Sequence, residues 1–166
     1  MCEVEYEQIL FFAKFCIENN YAYVYTSTEP PKGPETVANY ADDYTNLKNP
    51  GILVIFKIDK IRIINNHSLD YISGVKRYVE DHKLDKTIIP YFTKPFASNI
   101  VLFEKLSDNQ RFYFVGLHHY HNPKEEDVKE FQITYLLGKL AYKNQIYDYP
   151  VIMCGDLNVA HDDIDV

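Results

Sequence analysis

Four apolar residues, Val151-Ile-Met-Cys154, run straight into Gly155-Asp-Leu-Asn158, and no other stretch constrains the chain as tightly. An apolar run this short, bounded by turn residues, reads as a strand in the interior of a sheet. Gly155 allows a sharp backbone turn where that strand leaves the core. Asp156 and Asn158 are two apart, so continued extended geometry sends both side chains to one side. A carboxylate and a carboxamide placed there can position a water or a phosphate. On spacing alone the competing reading is a strand closed by an ordinary Asx-turn.

The rest of the chain supplies partners for such a strand. Ile9, Phe12, Ala13, Cys16 and Ile17 recur at helical spacing within Val4 to Ile17, and Asn19-Asn20 makes a stop. Tyr21 to Thr26, Ile52 to Phe56 and Ile61 to Ile64 read as strands, the last two as a hairpin across Lys57 to Lys60. Glu29 to Pro50 is a long irregular loop. Gly74 to His82 suits a short helix, and Asn99 to Lys105 with Arg111 to Leu117 a second strand pair turning at Ser107-Asp108-Asn109. After Pro123 a helix opens on Glu125, Glu126 and Asp127, carboxylates favoured at its positive end. Its apolar face is Val128, Phe131, Tyr135, Leu136 and Leu140, and it ends near Asn144. Paired strands with interspersed helices favour a layered α/β or α+β domain over an all-β barrel.

Composition bounds the function. The 166 residues suffice for one domain with a real core. The net charge of −7 counts against a module that grips long nucleic acid through a basic surface. A phosphate-bearing substrate must then be held by a few side chains or by a metal ion that inverts the local field. No apolar run approaches the roughly 20 residues needed to cross a bilayer, so no membrane partner is expected. Three cysteines without a CxxC pair read as reduced thiols in a cytoplasmic or nuclear protein, with Cys16 and Cys154 buried.

Two further places carry chemistry-bearing residues. Glu3 stands just ahead of the first helix, where a glutamate ordinarily serves the helix N-terminus. His118, His119 and His121 cluster at a strand end, but no cysteine or acidic partner stands at zinc-type spacing. Strand alternation would send His118 and Tyr120 to one face and His119 and His121 to the other.

Five stretches in order resemble one family: Cys2-Glu3-Val-Glu5, Asn49-Pro-Gly-Ile-Leu-Val-Ile-Phe-Lys57, Asn99-Ile100, His118-His-Tyr-His-Asn-Pro123 with Asp127-Val-Lys129, and Cys154-Gly-Asp-Leu-Asn158. The family is the endonuclease/exonuclease/phosphatase superfamily, in the branch of Ccr4-type deadenylases, nocturnin, Angel and the 2′-phosphodiesterases. The resemblance implies a single partial domain over residues 1–166, a four-layered α/β sandwich of the DNase I-like type, incomplete at both ends. It implies phosphodiester hydrolysis with Mg²⁺, Mn²⁺ being the alternative, on RNA such as poly(A) or oligoadenylate. Glu3 matches the metal-binding glutamate and His118 the histidine that contacts the scissile phosphate. Asp156 matches the aspartate that orients the attacking water, and Asn158 the asparagine that holds the phosphate. Asn99 matches an asparagine lining the site.

The sequence also departs from that pattern. Cys2 stands where the family usually has glutamine, and Gly116-Leu117 replace the Asn-Thr before the histidine. Val159 to Asp165 is closer to the apurinic/apyrimidinic endonucleases, which makes abasic DNA an alternative substrate. The family's terminal Asp-His pair has no counterpart here, so these 166 residues are expected to cleave oligo(A) poorly or not at all. A non-catalytic interaction module is the other alternative.

Overall fold

The computed structural model describes residues 1, 4, 6–27, 51–94, 97–122 and 124–158. The elements are α1 (Tyr6–Glu18), β1 (Tyr21–Ser27), β2 (Gly51–Lys57), β3 (Ile61–Ser68), α2 (Tyr71–Asp81), a 3-10 turn (Lys86–Ile88), α3 (Ile89–Phe92), β4 (Ala97–Lys105), β5 (Arg111–His118), α4 (Glu126–Asn144) and β6 (Val151–Asp156). Strands β1 and β2 form one antiparallel pair, and the other four form a sheet in the order β3-β4-β5-β6. Among the described strands only the β5–β6 pairing is parallel, and α4 makes the crossover between those two strands.

Side-chain alternation stacks these elements in four layers. On β2, Leu53 and Ile55 turn outward to join Ile9 and Phe12 of α1, while Ile52, Val54 and Phe56 turn inward. The inward set meets Ala97, Val101 and Phe103 of β4, with Phe112 and Phe114 of β5 alongside. The opposite face of the second sheet carries Ile100, Leu102, Tyr113, Val115 and Leu117, which pack under Tyr71 of α2 and Leu136 and Leu140 of α4. Helix, sheet, sheet and helix follow one another as the resemblance implied.

Three sequence expectations fail. The β2–β3 hairpin does not form, because β3 pairs with β4 in the other sheet. Both edges of β2 are already engaged, one by β1 and one by the main chain of Met1 and Val4, so the turn at 58–60 carries the chain between sheets. Nor is β6 an interior strand among the described residues, where Val151, Ile152 and Met153 are 39%, 48% and 38% exposed. Among the described residues it lies at the edge of its sheet. Cys154 is accordingly exposed, whereas Cys16 is buried as expected. The Glu29 to Pro50 loop lies outside the described residues.

At the end of the second sheet away from β5's C-terminus, Arg62, Glu104 and Arg111 form a row of direct cross-strand partners. Arg62 Nε donates to Glu104 Oε1 at 2.9 Å and Arg111 Nε to Oε2 at 2.8 Å, with the carboxylate side chain only 4% exposed. These two guanidinium hydrogen bonds hold the Glu104 carboxyl below its ordinary value of 4.5. A carboxyl depressed in the folded state stabilises it above pH 4.5, and that contribution disappears as the pH falls further. Denaturant melts in that acid window should therefore be less pH-dependent in Glu104→Gln than in the wild type.

Candidate active site

Register brings the two halves of the site together. His118 is the last residue of β5 and Asp156 the last of β6, and the two are paired across the parallel ladder. Asn99 pairs with Gly116 on one side and Ser68 on the other. Cross-strand partners carry their side chains to the same face, so Asn99, His118 and Asp156 all lie on the face towards β1–β2. Hydrogen bonds agree with that placement. Asn99, 1% exposed, donates through Nδ2 to Thr26 Oγ1 of β1 at 2.5 Å, and Thr26 Oγ1 lies 3.1 Å from Ser68 Oγ. The Oδ1 of Asn99 is buried without a hydrogen-bond partner among the described residues. Asn99 thus ties the two sheets together just beneath the site.

After β6 the chain turns instead of continuing extended. Asn158 adopts a positive φ of 52°, and its backbone N–H donates to Asp156 Oδ1 at 2.8 Å. That is the Asx-turn that spacing alone favoured, and Asn158 does not share a strand face with Asp156. Its side-chain Nδ2 donates to the carbonyl of His119 at 2.7 Å, and its own carbonyl accepts from Lys129 Nζ of α4 at 3.2 Å. Asp156, exposed at the sheet end, also accepts through its main-chain oxygen from the His119 N–H at 2.9 Å. The loops after β5 and β6 are therefore laced to each other.

The three histidines separate. His118 is half-buried at the strand end, His119 is 3% exposed, and His121 faces solvent. Burial, and secondarily the neighbouring His118, push His119 down to about 4, against a smaller opposing pull from Asp156. Gln132 of α4, wholly buried, accepts from the Tyr120 N–H at 3.0 Å and pins the next residue of the same loop. Sequence reasoning missed Thr26, Ser68, Gln132 and the structural part played by His119. None of them carries a local signal, since Thr26 and Asn99 are 73 positions apart.

Among the described residues no group of three His, Cys, Asp or Glu side chains is placed to hold a metal ion. Asp156 is the carboxylate there, and Glu3 lies outside the described residues. One or two carboxylates, completed by waters and substrate phosphate, are the usual donor set for Mg²⁺. Asp156 fits that set in kind.

No family model matches the chain. It is 28% identical over 139 residues to the probable CCR4-Not complex 3′-5′-exoribonuclease subunit Ccr4 of Vairimorpha ceranae, covering 81% of this chain and 27% of that one. To protein angel homolog 2 of Danio rerio it is 26% identical over 117 residues, covering 69% of this chain and 19% of the relative. Among solved structures, the human nocturnin catalytic domain with bound sulfate superposes with a TM-score of 0.66 at 16% identity, over 96% of this chain and 50% of that domain. The chain thus spans half or less of each of these three proteins.

Proposed function

We propose that this chain, whose fold is that of the endonuclease/exonuclease/phosphatase superfamily and which is similar to Ccr4 and Angel proteins, carries a phosphodiester-hydrolysing site for the 3′ end of RNA. The observation that supports this most is the β5–β6 register, which sets His118 opposite Asp156 on one face at one sheet end. An imidazole N–H at His118 can donate to a non-bridging phosphate oxygen, where negative charge builds up in the transition state. The Asp156 carboxylate can accept a hydrogen bond from the attacking water and so aim it at phosphorus. An amide has two N–H donors, and Asn158 spends one on the His119 carbonyl, which aims the group beside the phosphate.

Mg²⁺, held by Asp156 with Glu3, would neutralise charge on the phosphoryl oxygens. Mn²⁺ is the alternative ion. This cation also accounts for phosphate binding by an acidic chain. Poly(A) or oligoadenylate is the substrate class, and a cytoplasmic location goes with it.

The reading is tested by binding, which does not require turnover. Adenosine 5′-monophosphate titrated with Mg²⁺ should shift the His118 imidazole resonances in NMR spectra. Asp156→Ala should weaken that binding by about tenfold, the loss of one charge-assisted contact. Unmoved His118 signals, or binding indifferent to Asp156→Ala, would remove the basis for this assignment.

A further inference from the structure

We propose that α4 sets the geometry of the candidate site, with Gln132 and Lys129 as positioning residues for its two halves. What those halves do rests on the proposed function; how they are held does not. Helix α4 packs on the face of the second sheet opposite the one that carries His118 and Asp156. Lys129 and Gln132 are three positions apart, so they project from one face of its first turns. Gln132 Oε1 accepts from the Tyr120 N–H at 3.0 Å, two residues beyond His118. Lys129 Nζ donates to the Asn158 carbonyl at 3.2 Å, two residues beyond Asp156. His118 and Asp156 are themselves partners in the parallel ladder. The helix therefore grips both loops at matching steps past the last pair of strand residues.

Packing alone calls for neither side chain. Val128, Gln132, Leu136 and Leu140 form the buried row of α4 at four-residue spacing, and Gln132 is wholly buried among the aliphatic three. Its orientation is fixed, because the flipped amide would turn its own N–H groups on the Tyr120 N–H. Nε2 is then left buried without a hydrogen-bond partner among the described residues. A leucine would bury no such donor, and an unmet amide donor is costly. What the amide does that leucine cannot is accept from the loop that carries His118. Lys129 acts on a backbone conformation. Asn158 has a φ of 52°, a region that residues other than glycine seldom adopt. In that conformation its carbonyl meets the Lys129 ammonium while its Nδ2 reaches the His119 carbonyl at 2.7 Å. The His119 N–H donates in turn to the Asp156 carbonyl at 2.9 Å. These contacts close a ring from α4 through Tyr120, His119 and Asn158 back to α4. Displacing either loop moves the other, so the two residues act as one device.

NMR spectra of the chain without nucleotide give the first test. The amide–Hα coupling and Cα shift of Asn158 report its φ, and Lys129→Met should move both away from the left-handed values. Lys129→Arg keeps a charged N–H donor and should restore them. Titration with adenosine 5′-monophosphate and Mg²⁺ gives the second. Lys129→Met and Gln132→Leu should each weaken binding about fivefold, as the loss of one hydrogen bond does. The double variant should bind about as well as either single one, because breaking the ring once releases both loops. Urea melts separate this from folding: Lys129→Met should keep the wild-type midpoint. Should Gln132→Leu not fold, the three forms at position 129 carry the test. An Asn158 conformation indifferent to Lys129→Met, or single losses that multiply in the double variant, would overturn the proposal. A wild type that does not respond to the nucleotide sinks the catalytic reading alone, and the Asn158 signals still decide the positioning role.

Discussion

Titrated from pH 6.5 to pH 4, this domain should lose about 3 kcal/mol of folding stability through one side chain, His119. The imidazole is 3% exposed, and its Nε2 has no hydrogen-bond partner among the described residues. Charging it in place means desolvating a cation beside His118, and the carboxylate of Asp156 offsets only part of that cost. The unfolded chain takes up a proton near 6.5, while the folded chain resists until about 4. Between these values the unfolded state binds more protons, so stability falls as the pH falls. Above 6.5 the contribution is complete, and below 4 there is nothing further to lose. Denaturant unfolding at a series of pH values measures this slope directly. In His119→Leu it should be flattened over that window, leaving the acid limb of Glu104 below it. A wild-type stability that stays level from pH 6.5 to 4 would mean that His119 is hydrated rather than buried. The loss is local in its consequence as well. The main chain of His119 is bonded at both ends, to the Asp156 carbonyl and to the Asn158 side chain. Protonation therefore loosens the lacing between the β5 and β6 loops, and the nucleotide-induced shift at His118 should fade over the same pH range.

Periodicity was enough to read α1, α4 and the β4–β5 pair, because their signals are local, whereas the short α3 gave no such signal. Val128, Leu136 and Leu140 face the sheet as their spacing requires, with Phe131 and Tyr135 half-buried beside them. The layered class followed from the same patterns. Sheet membership was not legible in that way. Lys57 to Lys60 is as short as a hairpin connection, but pairing is decided by which edges remain open, and those of β2 are closed by β1 and by the N-terminal main chain. The apolar run at Val151 to Cys154 misled for a related reason. Hydrophobicity marks a strand that needs covering, and in this chain the described elements do not cover it. At the site, His118 and Asp156 could be read from ordered motifs, and their adjacency rests on a parallel pairing that no single motif states. Asn158 shows that a familiar residue can serve its turn first: its backbone and its amide are both engaged locally. The metal-ligand expectation at Glu3 falls outside the described residues.

Gly155→Ala should destabilise the domain by about 3 kcal/mol, while Gly138→Ala should stabilise it by about 0.5 to 1 kcal/mol. The two glycines differ in what a methyl group would meet. Gly138 lies in α4 with no atom within 4 Å of a built Cβ, so alanine there gains helix propensity without a clash. Gly155 has a φ of 153°, and a Cβ would drive into the carbonyl of Leu117 on the paired strand. The only relief is to move β6 away from β5 at that point, one residue before Asp156. Stability and site geometry should therefore fail together. Urea melts report the first, and the second appears as a weakened His118 response to adenosine 5′-monophosphate with Mg²⁺, measured where the variant remains folded. Equal melts for the two alanine variants would show that the β5–β6 register tolerates a side chain at its last turn. The pairing of His118 with Asp156 would then need some support other than close contact between the two strands.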